Sequence, residues 1–152
     1  MTKLVTIMTI NSFGNGMPVV FFFTTKEDQD ALAYLFTATK SVVGNLEPKV
    51  FMTDDAAAYW NAFSGTMECT ATKRLLCIWH VDRNWRNKLK ELVKEDVTRI
   101  DLYQKLCLIR SEPVKENFNK MMKNFVDQCE AVESTKPFAQ YFKKKYFNRP
   151  TY

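Results

Sequence analysis

The chain has 152 residues, 46% hydrophobic and 26% charged, with only four glycines and five prolines. It can bury a core, and its composition excludes a disordered tail, a collagenous repeat or a low-complexity linker. The formal charge of +5 is uneven: residues 1 to 70 carry four basic and seven acidic groups, and residues 71 to 152 carry eighteen basic and ten acidic, a net −3 and +8. That asymmetry hints at a polyanionic partner, with solvated helix faces as the alternative. The longest apolar run, residues 17 to 23, contains Pro18 and is far below the roughly 20 residues of a membrane-spanning helix, so no membrane partner is expected. The first eight residues alternate polar and apolar positions, unlike a signal peptide. Cys69, Cys77, Cys107 and Cys129 are too scattered for a disulfide framework. An intracellular protein that is not secreted is expected.

Taken in chain order, residues 4 to 10 and 18 to 24 are rich in Val, Ile, Phe and Thr, and the Asn15-Gly16 pair between them predicts a β-hairpin. Thr24 and Glu27 have capping-box spacing, Leu32, Leu35, Phe36 and Val43 recur at helical intervals, and Gly44 supplies a stop, which predicts a helix over 26 to 43. Pro48 opens a short run, residues 49 to 53, suited to a buried strand that ends at Asp54 and Asp55. Ala56 to Phe63 reads as a helix closed by Ser64-Gly65, and residues 73 to 77 as a further strand. Beyond Ile78 the period becomes helical. Val81, Trp85, Leu89 and Leu92 share one stripe, residues 97 to 109 form a second helix, and Val114, Phe118, Met121, Met122, Phe125, Val126 and Cys129 trace a third. An aromatic and basic segment from Phe138 to Phe147 precedes Asn148-Arg149-Pro150.

Several residues are placed to carry chemistry. Open α/β sheets put ligands beyond the carboxyl ends of their strands, which points to Asp54 and Asp55. Asp55 also suits the N-cap of the next helix, leaving Asp54 as the better ligand candidate. A hard cation such as Mg²⁺ often takes only one or two protein carboxylates. Cys77-Ile78-Trp79-His80 places the only histidine three residues from a cysteine. Four zinc ligands are not available at favourable spacing, so zinc is not expected. In a helix starting near Ile78, His80, Asn84, Asn87 and Glu91 share a polar face that could point at Asp54. Alternatively, His80 satisfies backbone groups at the junction. No Gly-rich phosphate loop, Gly-x-Ser-x-Gly elbow or His-Glu-x-x-His is present.

Gly14-Asn15-Gly16-Met17-Pro18-Val19-Val20-Phe21, Phe51-Met52-Thr53-Asp54-Asp55-Ala56 and Leu75-Leu76-Cys77-Ile78-Trp79-His80-Val81-Asp82-Arg83-Asn84-Trp85, in this order and at these separations, resemble the Mutator-like (MULE) transposase domain. The closing Tyr146-Phe147-Asn148-Arg149-Pro150 is included in that resemblance. It implies an α/β chain with a partial ribonuclease H-like fold: a mixed sheet lacking its first strand over 1 to 93, then an α-helical insertion over 94 to 152. Three acidic residues hold divalent metal, Mg²⁺ or Mn²⁺, for DNA strand cleavage and joining in that family. Asp54 looks like the second, with the first on a strand expected before Met1 and the third on a helix expected beyond Tyr152.

Cys77, His80 and Asn84 match the family signature, and Asn11 stands where an aspartate is expected. Lys73, Arg74, Arg83 and Arg86 are candidate nucleic-acid contacts. Glu130 or Glu133 is a less apt substitute ligand. The resemblance implies transposon-end DNA as partner and the nucleus as location, and sets no oligomeric state. With one expected ligand of three, this chain is expected to be inactive by itself. The alternative is a non-enzymatic, transposon-derived module that binds DNA or protein.

Overall fold

The computed structural model describes residues 1–70 and 72–147. The chain divides into two compact units, the first Met1–Cys77 and the second beginning at Ile78. The first holds four strands and two helices, and the second is helical.

In the first unit, β1 (Lys3–Ile10) and β2 (Gly16–Thr24) form the expected antiparallel hairpin. Its register slips between Ile7 and Met8, so that Ile7 faces Val20 while Met8 faces Pro18. The bulge accommodates a proline that cannot donate to the ladder. The turn owes more to Asn11 than to the Asn15-Gly16 pair: Asn11 Oδ1 accepts the amides of Phe13 and Asn15, each at 3.0 Å. Gly14 takes the left-handed conformation, φ +79°, that favours glycine.

Helix α1 is Gln29–Val43, three residues shorter at its start than expected. The capping-box pair is used elsewhere: the Thr24 hydroxyl closes a local turn with the backbone of Lys26, and Glu27 joins Lys3 and Tyr59. Asp28 is the true cap, its Oδ1 accepting the Ala31 amide at 3.0 Å. Gly44 ends the helix as expected, donating to Lys40 O at 2.9 Å.

Helix α2 (Ala57–Met67) runs through Ser64-Gly65, where a stop was expected, and closes at Glu68 in the left-handed region. The Ser64 hydroxyl donates to Trp60 O at 2.8 Å and so does not compete for the ladder. The extra turn carries Met67 into the core, 1% exposed.

Strands β3 (Val50–Thr53) and β4 (Lys73–Leu76) pair in parallel, Thr53 opposite Leu76. The sheet expected to unite them with the hairpin is not continuous. Among the described residues the strands form two separate two-stranded sheets, β1-β2 and β3-β4, and no described segment supplies a strand to bridge them. One hydrophobic cluster nevertheless serves both. Val5, Ile7, Val20 and Phe22 from the hairpin and Phe51 from β3 converge on Leu32, Leu35 and Phe36 of α1 and Ala62, Phe63 and Met67 of α2. Phe51 stacks on Phe63 at 4.1 Å and 11°. Strand alternation turns the remaining hairpin apolars outward, leaving Leu4, Met8, Ile10, Val19, Phe21 and Phe23 exposed.

In the second unit, α3 is Ile78–Leu92, α4 Asp96–Ser111, α5 Lys115–Glu130 and α6 Lys136–Phe142, followed by a π-helical turn, Lys143–Phe147. The helical stripes meet as their periods require: Trp85 and Leu89, Leu102, Leu106 and Ile109, Met122, Phe125, Val126 and Cys129, and Phe138 and Phe142 share one core. Phe138 and Phe142 are fully buried, and burying each such ring contributes roughly 1.5–3 kcal/mol. Helix α3 thus shares its core with the helices that follow it. Within the closing motif, Asn148-Arg149-Pro150 lies outside the described residues. No described helix is long and apolar enough to cross a membrane.

Candidate functional site

The parallel pairing of β3 and β4 sets the ends of the two motifs side by side. The Cys77 amide donates to Thr53 O at 2.7 Å, extending the ladder to the last residue before Asp54. Asp54 and Cys77 therefore both follow directly from the carboxyl ends of neighbouring strands, where an α/β arrangement leaves room for a ligand. Asp54 is half-buried, and its Oδ1 accepts the Ala56 amide at 2.9 Å. The role expected of Asp55 is not the one observed. Helix α2 has Ala56 at its N-cap position and no side-chain cap, and it is Asp54 that holds the turn leading into the helix.

A second polar group in this unit escaped sequence reasoning. Lys3 Nζ meets Glu27 Oε2 at 2.8 Å, and the Tyr59 hydroxyl donates to Glu27 Oε1. The hydrogen bonds from Lys3 and Tyr59 hold the Glu27 carboxyl below its ordinary range. Burial, then the bond to Glu27, then the charges of Glu27 and Asp54, push the Tyr59 hydroxyl up. The three residues lie on β1, before α1 and on α2, and no local pattern connects them.

His80 and Asn84 lie on α3, in the second unit, both half-buried. His80 Nδ1 is buried without a hydrogen-bond partner among the described residues. Its ring meets Trp79 edge-on, centroids 4.8 Å apart at 89°. Trp79 is 59% exposed, and the Arg83 guanidinium lies 5.3 Å from its ring centroid.

Of the four candidate nucleic-acid contacts, Lys73 and Arg83 are exposed and Arg74 is half-buried. Arg86 is exposed but engaged, its Nε and Nη2 donating to Asp82 Oδ2 and its guanidinium lying 5.4 Å from the Tyr103 ring centroid. Asp82 was not singled out by sequence, yet it is 6% exposed and gathers three partners. Besides Arg86, the Tyr103 hydroxyl and Arg110 Nη1 each reach its Oδ1 at 2.8 Å. Burial works to raise the Asp82 carboxyl, but the hydrogen bonds from Arg86 and Tyr103 and the charges of Arg86 and Arg110 outweigh it and hold it low. The bond to Asp82, with burial and Cys107 adding to it, raises the Tyr103 hydroxyl to about 12. The available signal was Asp82 and Arg86 at i, i+4, a spacing too common on helix surfaces to mark a buried hub.

Glu130 receives Lys143 Nζ at 3.0 Å, and Glu133 pairs with Lys136 at 3.4 Å. Among the described residues no three His, Cys, Asp or Glu side chains cluster as a metal site would require. Asp54 can supply one oxygen ligand, but a two-ion centre needs several converging carboxylates. The described residues therefore do not by themselves fit such a centre.

No curated protein and no solved structure matches the chain. The family model of the MULE transposase domain matches residues 1–84. That span takes in the hairpin, Asp54 and the whole Cys77, His80 and Asn84 signature, and it stops before the helices α4 to α6 and the closing aromatic segment. With more than half of its length matched, the chain belongs to the MULE transposase domain family.

Proposed function

We propose that this chain is a part of a MULE-type DNA transposase of ribonuclease H-like fold, in which Asp54 is one of three acidic ligands to Mg²⁺ or Mn²⁺. The observation that carries the reading is the adjacency of Asp54 and Cys77 at the ends of paired parallel strands, inside the span matched by the family. The separation of the two sheets supports it too. A central strand bearing the first acidic ligand belongs between them in that fold, and β1 and β3 each have an edge available to it. His80 is proposed to act with Cys77 and Asn84 as the family signature, and Lys73, Arg74 and Arg83 to contact DNA, while the Arg86 guanidinium serves Asp82 first. The protein acts on transposon ends in the nucleus.

Under this reading the 152-residue chain supplies one ligand of three and neither nicks nor joins DNA in Mg²⁺ or Mn²⁺. The test is a longer protein that adds an in-frame upstream strand ending in Asp and a downstream helix carrying Glu, read from the flanking genomic sequence. It should cleave DNA with metal, and Asp54→Ala should abolish cleavage without abolishing DNA binding. Cleavage by the 152-residue chain alone that is lost in Asp54→Ala would overturn the incompleteness of its site. If stop codons or unrelated sequence flank the chain, and the protein binds DNA without any dependence on Asp54, the reading gives way to a non-enzymatic binding module. The net +8 of residues 71 to 152 suits DNA binding under either reading.

A further inference from the structure

The chain has three tryptophans, and their surroundings differ. Trp85 is 6% exposed in the helical core, and Trp60 is half-buried against Phe51 and Phe63. Trp79 alone is left largely in water, 59% exposed in the first turn of α3. An indole costs solvation free energy when it stays exposed, and its orientation here is set by two neighbours. The His80 ring meets it edge-on, and Arg83, one turn along the helix, lies over the ring. The first turn of α3 contains no acidic residue, and the acidic group that follows, Asp82, is buried and neutralised by Arg86 and Arg110.

We propose that Trp79 is a stacking shelf for an unpaired nucleobase, with Arg83 contacting the adjoining phosphate; this deepens, and rests on, the reading of the chain as one that acts on DNA. An aromatic face paired with an arginine is the combination by which proteins hold single strands, because every base has a π-face and every nucleotide a phosphate. A cation over the ring and an excess of basic charge favour a polyanion over an apolar protein partner. The base must be unpaired because in a duplex its faces are covered by stacking and only its edges are open in the grooves. With His80 and Arg83 already holding the ring, little ordering remains to be done when a base arrives.

The test uses the 152-residue chain with a labelled single-stranded oligodeoxynucleotide and its duplex. Adding the single strand should quench the emission of the exposed tryptophan, and Trp79→Phe should remove that quenching. Trp79→Ala should weaken single-strand binding about tenfold while duplex affinity changes less than twofold. Arg83→Ala should weaken both and reduce the salt dependence by roughly one phosphate contact. An unchanged thermal melt confirms that the variants fold. Duplex binding that persists while Trp79→Ala leaves single-strand affinity and quenching intact overturns the shelf alone. Failure of the wild-type chain to bind either nucleic acid overturns the shelf together with DNA binding by this chain. Loss of self-association in Trp79→Ala, with nucleic-acid binding unaltered, assigns the residue to a protein contact and also overturns the shelf.

Discussion

Asp82 on α3 and Arg110 at the end of α4 meet at 2.8 Å through Oδ1 and Nη1, and the same oxygen accepts the Tyr103 hydroxyl. One buried carboxylate thereby ties two helices that lie a full loop apart in sequence. Asp82→Ala should destabilise the second unit by roughly 1–3 kcal/mol. That is less than the 3–5 kcal/mol of a wholly buried pair, because Arg86 remains 64% exposed and can rehydrate. Urea denaturation followed by far-ultraviolet circular dichroism measures it. Asp96→Ala, which removes the surface pair with Arg99, should cost less than about 1 kcal/mol in the same assay.

The same carboxylate sets an acid dependence. Its folded pKa lies below the ordinary carboxyl value, so its contribution is complete above the unfolded value near 3.8 and is lost as pH falls through the lower folded value. Stability of the wild-type chain should therefore fall more steeply on acidification than that of Asp82→Asn. Parallel pH profiles of the two proteins would remove the hub as the cause.

At the hairpin turn, Asn11 Oδ1 accepts two backbone amides. An aspartate can do the same. Asn11→Asp should thus leave thermal stability almost unchanged, whereas Asn11→Ala strands both amides at an exposed turn and should cost about 1 kcal/mol. A negligible loss in Asn11→Ala would mean that the turn is held by Gly14 and not by Asn11.

Leu32 is fully buried in the first unit and Phe138 in the second. Leu32→Ala should cost about 2–5 kcal/mol and Phe138→Ala about 3–5 kcal/mol, read as shifts in denaturation midpoint. A loss below about 1 kcal/mol at either site would show that the surrounding core closes over the cavity.

The outward hairpin face exposes Phe21 at 60% and Phe23 at 70%, beside Leu4 and Val19. A contiguous apolar surface of this kind promotes association, so the isolated chain should self-associate with rising concentration. Phe21→Thr combined with Phe23→Thr should reduce that association in sedimentation velocity and leave the fold intact, because neither ring belongs to the core cluster of the unit. A wild-type chain that stays monodisperse and monomeric would contradict the prediction.

Much of this was legible along the chain because it is local. Alternation in residues 4 to 24, the 3.6-residue period of α1 and of α3 to α5, the Gly44 stop and the brief apolar runs of β3 and β4 each reflect interactions within a few residues. The order and spacing of the motifs around Asp54, Cys77 and His80 likewise identified the family. Tertiary structure decided what local spacing leaves open. Thr24 and Glu27 matched a capping box but were drawn to the Lys26 backbone and to Lys3 and Tyr59, so Asp28 became the cap. Ser64-Gly65 stayed helical because Met67 had a core to enter, and Asp54 instead of Asp55 took the turn before α2. The two sheets stayed separate because strand pairing needs a hydrogen-bonding neighbour that no described segment provides. Asp82 became a hub because Tyr103 and Arg110, distant in sequence, converge on it from α4. Period and turn chemistry act between neighbours, whereas buried charge and strand partnership depend on residues that only folding brings together.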